Sequence, residues 1–362
     1  QAGERERERG RNEEDCHNHQ QQHPQQARAH TQTHTHKMSV RRLLQWTQRH
    51  LLSGVLGGVC QLLLLGILLP VLCFVATIMW AFHSCVRRRA LRAPPKTVLI
   101  TGASSGIGAA LAQHYAATVP GVFLALSGRS QERLQEIADQ CVANGATVNT
   151  RVVDVIDREA MADWIVDVDR SHPLDLVVAN AGVAAAVLRE DCSEEDQNRE
   201  IVDTNIIGTM NTVYPALAPM ALRGSGQVAL LGSVLGHVSV ESSSYGATKA
   251  FVSSFADALR HRYDRHNIRI SCIEPGAVQS RITNAVATKS KSGSRLPLEY
   301  TAEEAAVIIA EGLQREDAVI HFPFLIHTLC YLLGALPGNV RMVIWQILYF
   351  FKKRGRKEGK SE

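Results

Sequence analysis

Thr97-Val-Leu-Ile100, running straight into Thr101-Gly-Ala-Ser-Ser-Gly-Ile-Gly108, is the stretch from which the rest of this chain can be read. The first four residues are a short apolar run, the pattern of a parallel strand buried on both faces. Gly102, Gly106 and Gly108 follow at once. Glycines there let the backbone turn tightly and let a pyrophosphate approach its amide groups, and a helix starting near Ile107 turns its positive end to the phosphate. The spacing is G-x-x-x-G-x-G rather than the commoner G-x-G-x-x-G, and no Gly-Lys-Ser/Thr follows, which excludes a P-loop. A purely structural glycine turn is the alternative, and the strand before it and the helix after it argue against that.

Working outward, apolar runs alternate with helical stretches, as in a parallel α/β sheet. Val122-Phe-Leu-Ala-Leu126 reads as the second strand and leads to Gly128 and Arg129. Dinucleotide sites that choose NAD usually place an acidic residue near this point. An arginine instead suits the 2′-phosphate of NADP, and no carboxylate adjoins it in the sequence. Val152-Val-Asp-Val155 reads as the end of a third strand, and Leu176-Val-Val-Ala-Asn-Ala-Gly182 as a fourth. Val228-Ala-Leu-Leu231 places Ser233 just past a strand end, where ligands of open parallel sheets bind. Tyr245 and Lys249 stand at i and i+4, on one face of a helix. A second such pair, Tyr349 and Lys353, ends an apolar run without a preceding serine and reads as an interfacial tyrosine beside basic residues.

Thr-Gly-x-x-x-Gly-x-Gly, then Asn180-Ala-Gly182, Ser233 and Tyr-x-x-x-Lys, together resemble the short-chain dehydrogenase/reductase family over about residues 96–320. The resemblance implies a Rossmann-type, doubly wound, mostly parallel seven-stranded sheet with helices on both faces. It implies NADP(H) held by Gly102, Ser104, Ser105, Gly106, Ile107, Gly108, Arg129, Asp154, Asn180, Gly182, Tyr245, Lys249, Pro275, Gly276, Val278 and Ser280. Asp154 would contact the adenine, and Lys249 the nicotinamide ribose. Ser280 stands where relatives often carry threonine, and Ala179 where they often carry asparagine. Catalysis falls to Asn205, Ser233, Tyr245 and Lys249. Tyr245 would exchange a proton with the substrate oxygen, its pKa of about 10 lowered by the ammonium and the oxidised nicotinamide. Ser233 would stabilise charge on that oxygen, and Asn205 would anchor a water and a proton relay.

The whole chain sets the context. It has 362 residues, 45% hydrophobic and 20% charged, and a formal charge of +4. That charge, with no basic stripe, gives no nucleic-acid partner. Its eight cysteines lack paired spacing, which predicts reduced thiols and no metal site. Residues 1–37, rich in Glu, Arg, His and Gln, are expected to be a disordered segment, with translation starting at Met38. Residues 38–92 read as a membrane anchor with basic flanks, because Leu51 to Phe82 holds no Asp, Glu, Lys or Arg. Ala93-Pro-Pro95 reads as a linker, and 96–320 as the catalytic domain. Residues 279–300 read as a lid, after which Thr301 to Glu304 carries a capping-box signature. The 321–362 extension is apolar, broken by Pro337-Gly338 and Arg341, with a basic end. It reads as two short helices against the membrane or over the cleft, or equally as core and dimer packing with a solvated basic end.

These observations predict a membrane-anchored NADP(H)-dependent oxidoreductase that interconverts a ketone or aldehyde and an alcohol. The expected substrate is apolar and lipid-like, of the steroid, retinoid, sphingoid or acyl class. The arginine-rich far flank favours a cytosol-facing catalytic domain, and the expected membrane is the endoplasmic reticulum, for which the sequence carries no address. A homo-oligomer is an open alternative to a single copy. The rival readings are a catalytically silent NADP-binding sensor or scaffold and an NAD-dependent alcohol dehydrogenase.

Overall fold

In the computed structural model the described residues are 66, 70, 74, 92–187, 192–238, 244–280, 282, 283, 285, 298–342 and 344–346. The chain divides into two units, Gln1–His83 and Ser84–Glu362. In the first, the described Gly66, Pro70 and Phe74 are helical. Among the described residues no helix is long and apolar enough to cross a membrane. The anticipated 1–37 segment, nearly all of the anchor, most of the lid and the basic end lie outside the described residues.

The second unit alternates strands and helices. In order they are β1 (Thr97–Thr101), α1 (Gly106–Thr118), β2 (Phe123–Gly128), α2 (Gln131–Ala143), β3 (Thr147–Val152), α3 (Arg158–Ser171) and β4 (Leu176–Ala179). Then come α4 (Glu194–Val202), α5 (Gly208–Arg223), β5 (Gly226–Leu231), α6 (Tyr245–Tyr263), β6 (Ile268–Pro275), α7 (Ala302–Gln314), β7 (Val319–Phe322) and α8 (Phe324–Ala335). The sheet order is β3-β2-β1-β4-β5-β6-β7, and every pairing is parallel. The order reverses between β1 and β4, so a crevice opens at their carboxyl ends.

Strand alternation divides the core. Val98 and Ile100 face the layer formed by Leu111 and Tyr115 of α1, Leu134 of α2 and Ile309 of α7. Leu99 faces the opposite layer, with Ile165 of α3, Leu217 of α5 and Val252 of α6. Each fully buried side chain of this kind contributes about 1.5–3 kcal/mol. The β1 register is thereby fixed, because a one-residue slip would exchange the two layers.

The Thr301 capping box forms as expected: its hydroxyl accepts from the Glu304 N–H, and the Glu304 carboxylate accepts from the Thr301 N–H. The third strand stops at Val152, so Asp154 lies beyond it rather than within it. In the extension, α8 is followed by helical residues from Gly338. The break falls at Leu336-Pro337, where proline lacks an N–H, and Arg341 continues the helix instead of interrupting it.

Candidate active site

The turn between β1 and α1 builds one end of the crevice. Gly102 has φ +67°, and a Cβ there would stand 2.9 Å from the Ala181 Cα. At Gly108 a Cβ would run into the Asn180 amide and the Gly102 carbonyl. Asn180 holds this junction together: its side-chain amide donates to the Thr101 and Gly102 carbonyls at 2.9 and 3.2 Å. Its structural role in tying β1 to β4 is therefore visible directly. Ser105 precedes α1 without capping it, and the first turn of α1 carries no acidic residue. The amide groups there are left available to an anion. A cradle that any side chain would fill, beneath an uncapped helix start, fits a dinucleotide pyrophosphate.

Further along, Gly128 ends β2 and Arg129 follows in the turn. The sequence shows no carboxylate beside Arg129, yet the fold brings two. Asp154 and Glu200 stand 3.8 and 3.7 Å from its guanidinium. All three are solvent-accessible, so the pairs are weak. The sequence reading also missed Arg133, which lines the same cleft from the first turn of α2. Its only signal was a second arginine four residues after the first.

The other end of the crevice is assembled from buried polar side chains. Between α4 and α5 the chain forms a π-turn at Asp203–Ile207, which carries Asn205 inward. The Asn205 amide donates to the Val183 carbonyl and the Thr248 hydroxyl, both at 3.0 Å, and accepts from the Val183 N–H at 2.8 Å. Thr248, also missed, sits between Tyr245 and Lys249 on α6 and shares their helix turn. Ser233 follows β5, and its hydroxyl accepts from the Leu235 N–H at 3.1 Å. Lys249 is buried, and its ammonium donates to the Leu231 carbonyl at 2.7 Å. It stands 5.7 Å from the centre of the Tyr245 ring.

The electrostatics differ from expectation at one point. Burial lowers Lys249 to about 8, with Cys272 acting in the opposite direction. Burial also raises Tyr245 to about 12, and a hydrogen bond with Ser233 only partly offsets this. The expected lowering of Tyr245 is therefore not a property of these residues alone.

A cleft of about 260 Å³ joins the two ends. Its walls include Gly102, Ser104, Ser105, Gly106, Ile107, Arg129, Asp154, Asn180, Gly182, Ser233, Tyr245, Lys249, Pro275, Gly276, Val278 and Ser280. Gly108 and Asn205 are set behind the wall. Val187, Thr204, Ile282 and Thr283 also line it and were not anticipated.

Comparison with known proteins agrees with this arrangement. The short chain dehydrogenase family pattern matches residues 96–291. An uncharacterized oxidoreductase of Myxococcus xanthus is 34% identical over 231 residues, covering 63% of this chain and 88% of that protein. Among solved structures, a serine dehydrogenase complexed with NADP+ matches with TM-score 0.55 and 25% identity, over 62% of this chain and 94% of the other. A short chain dehydrogenase from Mycobacterium paratuberculosis bound to NAD matches with TM-score 0.54 and 26% identity, over 62% and 95%. The motifs, the sheet order and these matches coincide on one region, and the chain belongs to the short-chain dehydrogenase family, whose members are oxidoreductases of the carbonyl–alcohol pair.

Proposed function

We propose that this protein is a membrane-anchored, NADP(H)-dependent reductase or dehydrogenase of an apolar, lipid-like carbonyl or alcohol, with Asn205, Ser233, Tyr245 and Lys249 as its catalytic residues. The observation that carries this reading is the convergence of Ser233, Tyr245 and Lys249 on the cleft that the glycine turn opens. A silent sensor needs no such group. NADP(H), when bound, supplies or accepts the hydride. The Tyr245 phenol, held protonated by burial, gives its proton to the substrate oxygen in reduction and takes it back in oxidation. Ser233 hydrogen-bonds the same oxygen, and Lys249 holds the nicotinamide ribose. Asn205 keeps the Val183 backbone and Thr248 in register behind them.

Selection of NADP rests on Gly128, which offers no carboxylate to the ribose, and on Arg129 and Arg133 at the same end of the cleft. The NAD-linked reading has an observation of its own. Asp154 and Glu200 already face Arg129, and they would oppose a 2′-phosphate.

Membrane attachment rests on the uncharged run Leu51 to Phe82 and on α8. Phe324, Leu325 and Leu329 of that helix are exposed, which suits an apolar substrate source or a bilayer surface. The endoplasmic reticulum, with the domain on the cytosolic side, is the location this proposal assigns.

The test is consumption of NADPH and of NADH by detergent-solubilised protein with a panel of lipid ketones, beside Arg129→Asp. NADPH should be preferred, and the substitution should weaken that preference by about 10–150-fold, the worth of a lost charge-assisted hydrogen bond of about 1.5–3 kcal/mol. Equal use of both cofactors by the unaltered protein, or an unchanged preference in the variant, contradicts the assignment.

A further inference from the structure

At the carboxyl end of β6, three side chains from distant segments meet beside the catalytic group. Glu274 is buried, and its Oε2 lies 2.9 Å from His237 Nε2 and 3.0 Å from His327 Nε2. The two histidines are separated from it by 37 and 53 residues of sequence, so no spacing motif announces the cluster. His237 closes the short turn Val234–Gly236 that follows Ser233, and His327 lies in the first turn of α8. The three donor atoms lie within 4.8 Å of one another.

Two imidazoles and one carboxylate are a donor set that zinc favours. We infer that His237, Glu274 and His327 form a divalent-cation site of the zinc class, which fastens α8 to the turn carrying Ser233. The ring geometry fits. A Zn–N distance of about 2.0 Å at a tetrahedral angle sets two imidazole centroids about 5 Å apart. The His237 and His327 centroids are 5.2 Å apart, with the rings nearly perpendicular at 88°. The same bond lengths ask for about 3.3 Å between each nitrogen and the carboxylate oxygen. Each nitrogen–oxygen pair therefore needs to part by only a few tenths of an ångström.

The surroundings are also those of a ligand group. Ser253 Oγ donates to the other carboxylate oxygen, Oε1, at 2.7 Å, which orients Glu274 as partners of metal-bound carboxylates do. His321 stacks on His327 at 4.0 Å and fixes its ring plane. With both imidazoles neutral, as ligation requires, the trio carries one negative charge, and a divalent ion supplies the counter-charge. The ion would connect three parts, of which Pro275-Gly276 lines the cleft. These are the Pro275-Gly276 loop, the turn after Ser233, and α8, whose Gly334 packs directly on the His237 carbonyl.

The test uses the full chain in detergent, stripped with chelator and dialysed against micromolar zinc chloride, with bound zinc counted by mass spectrometry. Six other histidines precede residue 37, at 17, 19, 23, 30, 34 and 36, so the readout is a difference. Unaltered protein should hold one zinc ion more per chain than His237→Gln or His327→Gln. Zinc should also raise its unfolding midpoint, and not theirs. Equal zinc in all three proteins overturns the site and leaves a clasp held by hydrogen bonds alone. Should the variants fail to fold, the unaltered protein decides. A midpoint that rises with zinc and falls with chelator supports the site, and one indifferent to both overturns it.

Discussion

Around Gly102, Gly106 and Gly128 the cleft wall is made by leaving side chains out, whereas around Ser233, Tyr245 and Lys249 it is made by bringing polar side chains in. The first end presents backbone to the cleft, with Arg129, Asp154 and Glu200 in solvent around it. At the second end, Asn205, Ser233 and Lys249 are nearly withdrawn from water and are held by neighbours on three different elements. The contrast teaches how each end fails. A glycine end is damaged by atoms added to it, and a buried polar end by atoms removed from it.

The largest effect is expected at the polar end. Lys249→Met should lower turnover by about 10²–10⁴-fold, the range for loss of a general acid–base contribution. The same variant separates catalysis from stability. Lys249 has a folded pKa of about 8, below its ordinary 10.5, so its buried ammonium costs stability below pH 8 and the cost vanishes above 10.5. Relative to Lys249→Met, the unaltered protein should therefore gain stability as pH rises through that window, by on the order of 3 kcal/mol. Chemical denaturation of both proteins across the window checks this, and parallel pH profiles would remove the buried charge from the account.

A smaller effect is expected at the glycine end. Gly108→Ala should cost about 1–3 kcal/mol, because its Cβ has no room beside the Asn180 amide and the Gly102 carbonyl. A thermal unfolding midpoint within error of the unaltered protein's would show that the β1–α1 junction can yield, and that the contrast between the two ends is overstated.

The two ends were not equally legible in the sequence. The glycine turn could be read because strand, turn and helix are contiguous, and the Tyr245–Lys249 pair because one helix turn sets their spacing. Sheet class followed from alternating apolar runs. What the sequence hid was long-range. Glu200 reaches Arg129 from α4, and Asp154 falls past its strand. In the chain by itself burial, which no local motif encodes, raises Tyr245, and the Ser233 hydrogen bond only partly offsets it. His237, Glu274 and His327 escaped notice for the same reason, being joined only by the ends of β5, β6 and β7.

The most direct measurement compares the unaltered protein with Tyr245→Phe, recording NADPH binding by fluorescence and carbonyl-dependent NADPH consumption in parallel. The account predicts unchanged binding and turnover lower by about 10²–10⁴-fold in the variant. Turnover that survives loss of the phenol, with binding intact in both proteins, would contradict it.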